Sequence, residues 1–300
     1  MSESGRGAGL GAGAYLLWGL FPLYWPLLDP SSSVEVLAHR VVWSLVVVTV
    51  LLAATRGLAV LRQMRGERTR LTRLSLAAVV IALNWGIYIY GVTHEHVVET
   101  SLGYFMNPIV TVMLGVFVLG ERLRRAQWVA VAAAAVAVTV LAVQNGKPPW
   151  IALALAFSFA TYGLLKKTAG AGAIEGLVVE TAVLAPLALG YLAWLQAGHG
   201  GTFGTEGVGH AALLVLTGPI TALPLLLFAA AASRVPLSTL GLLQYIAPTM
   251  QFLLGVLVFH EPLPALRLAG FVLVWLALAV FTADLIRHRR SQRCVVPAPV

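Results

Sequence analysis

The chain has 300 residues, 59% of them hydrophobic and only 11% charged, with a mean hydropathy of +0.87, so it carries too little polar surface to coat a soluble globule of its size. The net charge of +8 does not call for a nucleic-acid partner, because 17 of the 20 Lys and Arg residues fall in alternate loops between apolar runs. The one cysteine, Cys294, excludes an intramolecular disulfide and any thiol pair for redox or metal chemistry.

A spanning helix needs roughly 20 apolar residues, and ten runs of that kind follow one another near 8–28, 34–54, 73–92, 97–119, 126–144, 149–166, 175–196, 208–230, 237–259 and 264–284. The short alternating segments of a membrane barrel do not occur, so the pattern predicts an all-α membrane protein of ten transmembrane helices. Met1 to Gly9 carries Arg6 ahead of the first run and imitates a signal peptide; the run continues too far for one and reads as an uncleaved first helix. After helix 2, the stretch from Arg56 to Arg73 mixes bases with Leu58, Leu61, Met64 and Leu71, which fits either a short amphipathic helix on anionic lipid or a solvated basic turn.

Within helix 4 a segment begins that returns in helix 9. Pro108, Leu114, Gly115, Val116, Val118, Glu121 and Leu123 recur as Pro248, Leu254, Gly255, Val256, Val258, Glu261 and Leu263, each 140 positions on. The chain therefore divides into two five-helix repeats, 8–144 and 149–284, followed by a basic tail at 285–300. Five is odd, so the second repeat enters the membrane from the opposite face and the repeats are inverted. Internal repeats in an apolar chain mark secondary transporters, whose halves enclose a small-molecule solute near the bilayer midplane. With the N-terminus inside, only Arg40, Lys147 and Arg267 fall on the outer side, which places both termini in the cytoplasm. The loops agree, since Glu121 is followed by Arg122, Arg124 and Arg125 whereas Glu261 is followed by Pro262 and Pro264.

An ionisable group at bilayer depth costs about 2.5–3.5 kcal/mol on insertion scales, so each one is a functional candidate. Arg40 in helix 2 and Glu180 in helix 7 stand about 8–9 Å inside opposite surfaces of a ~30 Å core, over 10 Å apart, which argues against pairing them. At matching depth Arg40 has Glu99, with His39 and His94 nearby, and Glu180 has Lys166, Lys167 or Arg234. These sets predict two polar gates at opposite mouths, against the simpler reading of charges that snorkel to the interface. Pro108 and Pro248 each deprive the carbonyl four residues earlier, at Tyr104 and Gln244, of its donor, which directs helices 4 and 9 toward a watery cavity.

Tyr15, Trp18, Asn84, Trp85, Tyr88 and Asn107 in the first half complete a candidate lining. From the second half come Ser158, Thr161, Tyr162, Thr217, Thr221, Tyr245 and Gln251. Neutral donors among aromatic faces suit a small amphipathic solute better than a bare ion, although a lone membrane Asn or Gln is also ordinary interhelical glue. Helices 5 and 10 carry small apolar residues and suit the back of the bundle or a homodimer seam.

His94, Glu95, His96 and Glu99 match no recognised metal framework, and neither a Gly-x-Ser-x-Gly elbow nor a phosphate loop occurs. No cofactor is expected. A channel or scramblase, or an intramembrane enzyme with its reactive groups among His94 to Glu99, stands as the alternative to a carrier.

Several longer motifs go further. Asn84-Trp85, the run from Glu99 through Thr100-Ser101-Leu102-Gly103-Tyr104-Phe105-Met106-Asn107 to Pro108, and Leu119-Gly120-Glu121-Arg122 come with Ala14-Tyr15-Leu16-Leu17-Trp18-Gly19 and His39-Arg40-Val41-Val42-Trp43-Ser44. The second half adds Ser238-Thr239-Leu240-Gly241-Leu242-Leu243-Gln244-Tyr245-Ile246-Ala247-Pro248. Together, over about residues 10–285, they resemble the RarD branch of the EamA family in the drug/metabolite transporter superfamily. That resemblance implies a ten-helix inverted-repeat carrier in the plasma membrane, with a central cavity and alternating access, moving small organic solutes outward. His260 departs from it, standing where a Gly usually precedes the second Glu.

Overall fold

The computed structural model describes residues 3–55, 66–93, 97–143, 150–258 and, singly, 272 and 276. Outside that set lie the expected helix 10 apart from those two positions, the basic tail with Cys294, Lys147, His94 to His96, His260, Glu261 and the arginines at 56, 62 and 65. All regular elements among the described residues are helical: α1 (Glu3–Gly19), α2 (Ser33–Ala54), α3 (Arg68–Thr93), α4 (Val97–Phe117), α5 (Arg125–Val143), α6 (Trp150–Ala169), α7 (Ala173–Gln196), α8 (Val208–Ala232), α9 (Leu237–Leu243) and α10 (Ile246–Leu257). Four of these, α2, the Arg68–Tyr88 part of α3, α7 and α8, are long and apolar enough to cross a membrane. Large apolar side chains remain on the outside, Phe117 at 74% and Leu187 at 77% exposure, as a lipid-facing surface requires.

Two expected spans are corrected. Helix 1 stops at Gly19 instead of near 28, and Phe21–Leu23 and Trp25–Leu28 form 3-10 turns. Pro22 and Pro26 have no N–H to donate, so an α-helix through them would forfeit its own bonds. Helix 9 is broken into α9 and α10 at Gln244 and Tyr245, so Pro248 sits in the first turn of α10 and not in mid-helix. The Gln244 carbonyl that Pro248 cannot serve accepts from the Ala247 N–H at 3.3 Å instead. In the first half, α4 runs unbroken through Pro108.

α6 packs on α3 and α4, α1 on α8 and α10, α2 on α7 and α8, α4 on α9, and α3 on α7. Small residues permit the close crossings. A Cβ at Gly218 of α8 would stand 2.5 Å from the backbone of Trp43 in α2, and one at Gly241 of α9 would stand 2.9 Å from the Pro108 carbonyl oxygen. The core runs through the middle of the bundle, with Ala14, Val48, Ile81, Tyr162, Leu177 and Phe228 among its buried members.

Candidate functional site

The C-terminal ends of α6 and α8 and the start of α7 enclose a vestibule of about 420 Å³, lined by Lys166, Lys167, Glu175, Ser233 and Arg234 among others. Helix ends leave carbonyls without intrahelical donors, and basic side chains supply them here. Lys167 Nζ donates to the Val235 carbonyl at 2.6 Å, Arg70 Nε to that of Ala169 at 3.2 Å, and Arg73 to that of Thr168. Arg70 and Arg73 do this from inside α3, which begins at Arg68, several residues before its expected start.

Lys166 points inward from the vestibule and donates to Glu180 Oε1 at 2.7 Å, with only 4% and 3% of the two side chains exposed. The second carboxylate oxygen accepts from the Tyr162 hydroxyl at 3.3 Å. Beyond the pair lies a cleft of about 20 Å³, lined by Arg40, Ser44, Trp85, Tyr162, Glu180 and Thr221 among others, which is room for about one water. A wide vestibule, an ion pair and a narrow cleft whose open surface is mainly apolar thus stand in series.

Arg40 reaches that cleft from the other side. Its Nε donates to Thr221 Oγ1 at 3.0 Å, and its guanidinium carbon lies 4.9, 4.8 and 6.0 Å from the ring centres of Trp25, Trp85 and Phe21. Among the described residues no carboxylate forms an ion pair with it. The depth argument kept Arg40 and Glu180 apart, yet both line one cleft. Each is the eighth residue of its helix, α2 packs along α7, and long side chains extend well beyond their backbone depth.

The other expected gate residues go elsewhere. Arg234 pairs with Glu3 at 3.4 Å and donates to the Ala230 carbonyl at 2.7 Å, so it does not meet Glu180; neither does Lys167. Glu99 belongs to α4, but its side chain lies outside the described residues, as does any meeting with Arg40.

Of the expected lining, Tyr15, Trp18 and Tyr162 converge on one aromatic cluster. Tyr162 stacks on Phe228 at 5.8 Å and 15°, and Trp18 lies 5.3, 5.7 and 6.0 Å from Tyr15, Phe228 and Phe159. Phe228 sits in an apolar run with no polar neighbour to single it out, and Phe159, though it lies beside Ser158, has no polar group of its own. Asn84 clamps α3 to α6 by donating to the Leu155 carbonyl at 3.0 Å and Ser158 Oγ at 2.9 Å. Tyr88 and Tyr104 meet edge to face at 5.8 Å. Gln244 donates to Thr111 Oγ1 at 3.0 Å and Gln251 to the Trp18 carbonyl at 3.4 Å. Asn107 Oδ1, Gln244 Oε1 and Tyr245 Oη are buried without a hydrogen-bond partner among the described residues.

Two carboxylates not expected at the site fasten the bundle. Glu121 accepts from the Leu237 and Ser238 N–H groups at 2.7 and 2.9 Å, capping α9 from another part of the chain. Glu35, buried at the start of α2, accepts from the N–H and hydroxyl of Thr202 at 2.7 and 3.0 Å, and Ser31 Oγ lies 2.8 Å from His210 Nε2 beside them. The only local signal was Ser32 three residues before Glu35, the pattern of a capping box; Ser32 does accept from the Glu35 N–H at 3.2 Å, but the carboxylate turns to the loop instead.

A bundle of long apolar helices with an ion pair buried between a vestibule and a cleft fits a membrane transporter. Residues 5–143 match the model of the EamA-like transporter family. The chain is 57% identical to Protein RarD of Streptomyces exfoliatus, covering 99% of this chain and 94% of that protein. It is 43% identical to an uncharacterized transporter, YojE, of Bacillus subtilis, covering 97% and 98%, and 34% identical to the chloramphenicol-sensitive protein RarD of Pseudomonas aeruginosa, covering 97% and 98%. A crystal structure of 20% identity superposes with a TM-score of 0.68 over 91% of this chain and 96% of the other, which concerns the fold alone. The chain belongs to the RarD branch of the EamA family and is a membrane-inserted transporter of the drug/metabolite class.

Proposed function

We propose that this protein is a secondary transporter of the plasma membrane that exports small organic metabolites or drugs by alternating access. In this reading it has ten helices in two inverted five-helix repeats, with both termini in the cytoplasm. The observation that carries it is the Lys166–Glu180 pair, which stands between an open vestibule and a nearly closed cleft. Closure on one side of a polar centre is what a carrier requires between its two open states. The helix contacts support two copies of one unit. Adding or subtracting five turns the packing of α3 on α6 into that of α8 on α1, α2 on α8 into α7 on α3, and α4 on α6 into the contact of α1 with the α9–α10 segment. The α2–α7 and α4–α9 contacts exchange onto themselves.

Proteoliposomes holding the purified chain test it: saturable counterflow of a loaded solute is expected, and a non-saturating leak sinks the reading in favour of a channel. Topology is checked separately with Cys294 replaced by Ser and single cysteines at Arg125 and Gly200. The first should react with a membrane-impermeant reagent only from the cytoplasm and the second only from outside.

A further inference from the structure

We propose that Arg40 is the docking point for an organic anion, so that the transported solute carries a carboxylate on a flat apolar body; this rests on the carrier reading above. The Arg40 guanidinium is a permanent cation inside the bundle, and among the described residues no carboxylate pairs with it. Glu180, the acid lining the same cleft, already has Lys166 and Tyr162 as donors. Trp25, Trp85 and Phe21 surround the guanidinium within 4.8–6.0 Å. Ring faces attract a cation but carry no net charge, so they hold the group in place without neutralising it.

Thr221 occupies Nε, and the two terminal nitrogens make no hydrogen bond among the described residues. A guanidinium held at Nε presents its remaining edge as a fork that matches the two oxygens of a carboxylate. The Trp25 and Trp85 rings that lie against the guanidinium give the site apolar walls, which a planar ring joins once the site opens. The cleft's present volume of about 20 Å³ excludes such a solute, so the carboxylate enters only when the site opens.

The test is calorimetric titration of the purified full-length chain with benzoate and 1-naphthoate and with their neutral isosteres, benzamide and 1-naphthamide. The acids should bind about tenfold tighter than the amides. That preference should vanish in Arg40→Gln and fall to a few-fold in Arg40→Lys, which keeps the charge without the fork. Thr221→Val should keep a preference for acids at reduced affinity. Unfolding temperatures and size profiles of each variant separate loss of the site from loss of the fold, and should Arg40→Gln misfold, Arg40→Lys and Thr221→Val decide. Equal binding of acids and amides, a preference that survives Arg40→Gln, or no binding of either acid overturns the proposal. A preserved acid preference with no counterflow of 1-naphthoate in proteoliposomes supports the anion site and removes the carrier reading instead.

Discussion

Lys166 Nζ and Glu180 Oε1 lie 2.7 Å apart with almost no exposed surface on either side chain. Taking both charges out of water is costly, and the attraction repays that cost only where geometry is good and the remaining lone pairs are served. Here Tyr162 serves the second oxygen. The consecutive helices α6 and α7 are thereby joined across the boundary between vestibule and cleft; in the proposed carrier, a path between those spaces opens by parting the pair.

Breaking the pair from one side leaves a buried charge alone. Lys166→Met or Glu180→Leu singly should destabilise the protein by about 3–5 kcal/mol, whereas the double variant should regain most of that loss. Unfolding in detergent measures both. Singles that cost no more than the double would show that the charges do not depend on each other. Counterflow should fall in all three.

Removing Asn84 should act on stability and not on solute choice, since its amide is spent on Leu155 and Ser158. Asn84→Leu is expected to cost about 1 kcal/mol, the usual worth of an interhelical hydrogen bond in a membrane protein. Unchanged relative rates for competing solutes, at a lowered unfolding temperature, are the expected result; a changed solute preference would place the amide in the binding surface.

Glycines at crossings should differ sharply from glycines in open space. Gly218→Ala puts a methyl group against the Trp43 backbone and should cost about 1–3 kcal/mol as overpacking. Gly9→Ala in α1 meets nothing within 4 Å and should be neutral or stabilising by up to about 1 kcal/mol, the helix preference of Ala over Gly. Paired unfolding curves in one detergent decide it.

Glu121 holds the first turn of α9 by both carboxylate oxygens. Glu121→Ala removes two charge-assisted bonds and should cost about 2–3 kcal/mol. Hydrogen exchange should quicken first at Leu237 and Ser238. Exchange rising evenly over the whole chain would mean that the contact is not a local cap.

The chain alone settled what depends on each residue's own transfer between water and lipid. The lipid solvent, the all-helical class and the motifs of the RarD branch follow from hydropathy, from spacing and from runs such as Met106-Asn107-Pro108, with no knowledge of which helices touch. Depth alone also narrowed the partners of Glu180 to three. Tertiary structure decided everything that depends on how helices are rotated and how closely they approach. It chose Lys166 over Lys167 and Arg234, turned Arg40 and Glu180 onto one cleft, and brought Phe159 and Phe228, which have no polar group to mark them, into the aromatic cluster. It also joined Glu35 to Thr202 and Glu121 to Ser238. Distance along one helix says how deep a side chain is rooted; the neighbour it meets is set by the packing of another helix, which no local pattern encodes.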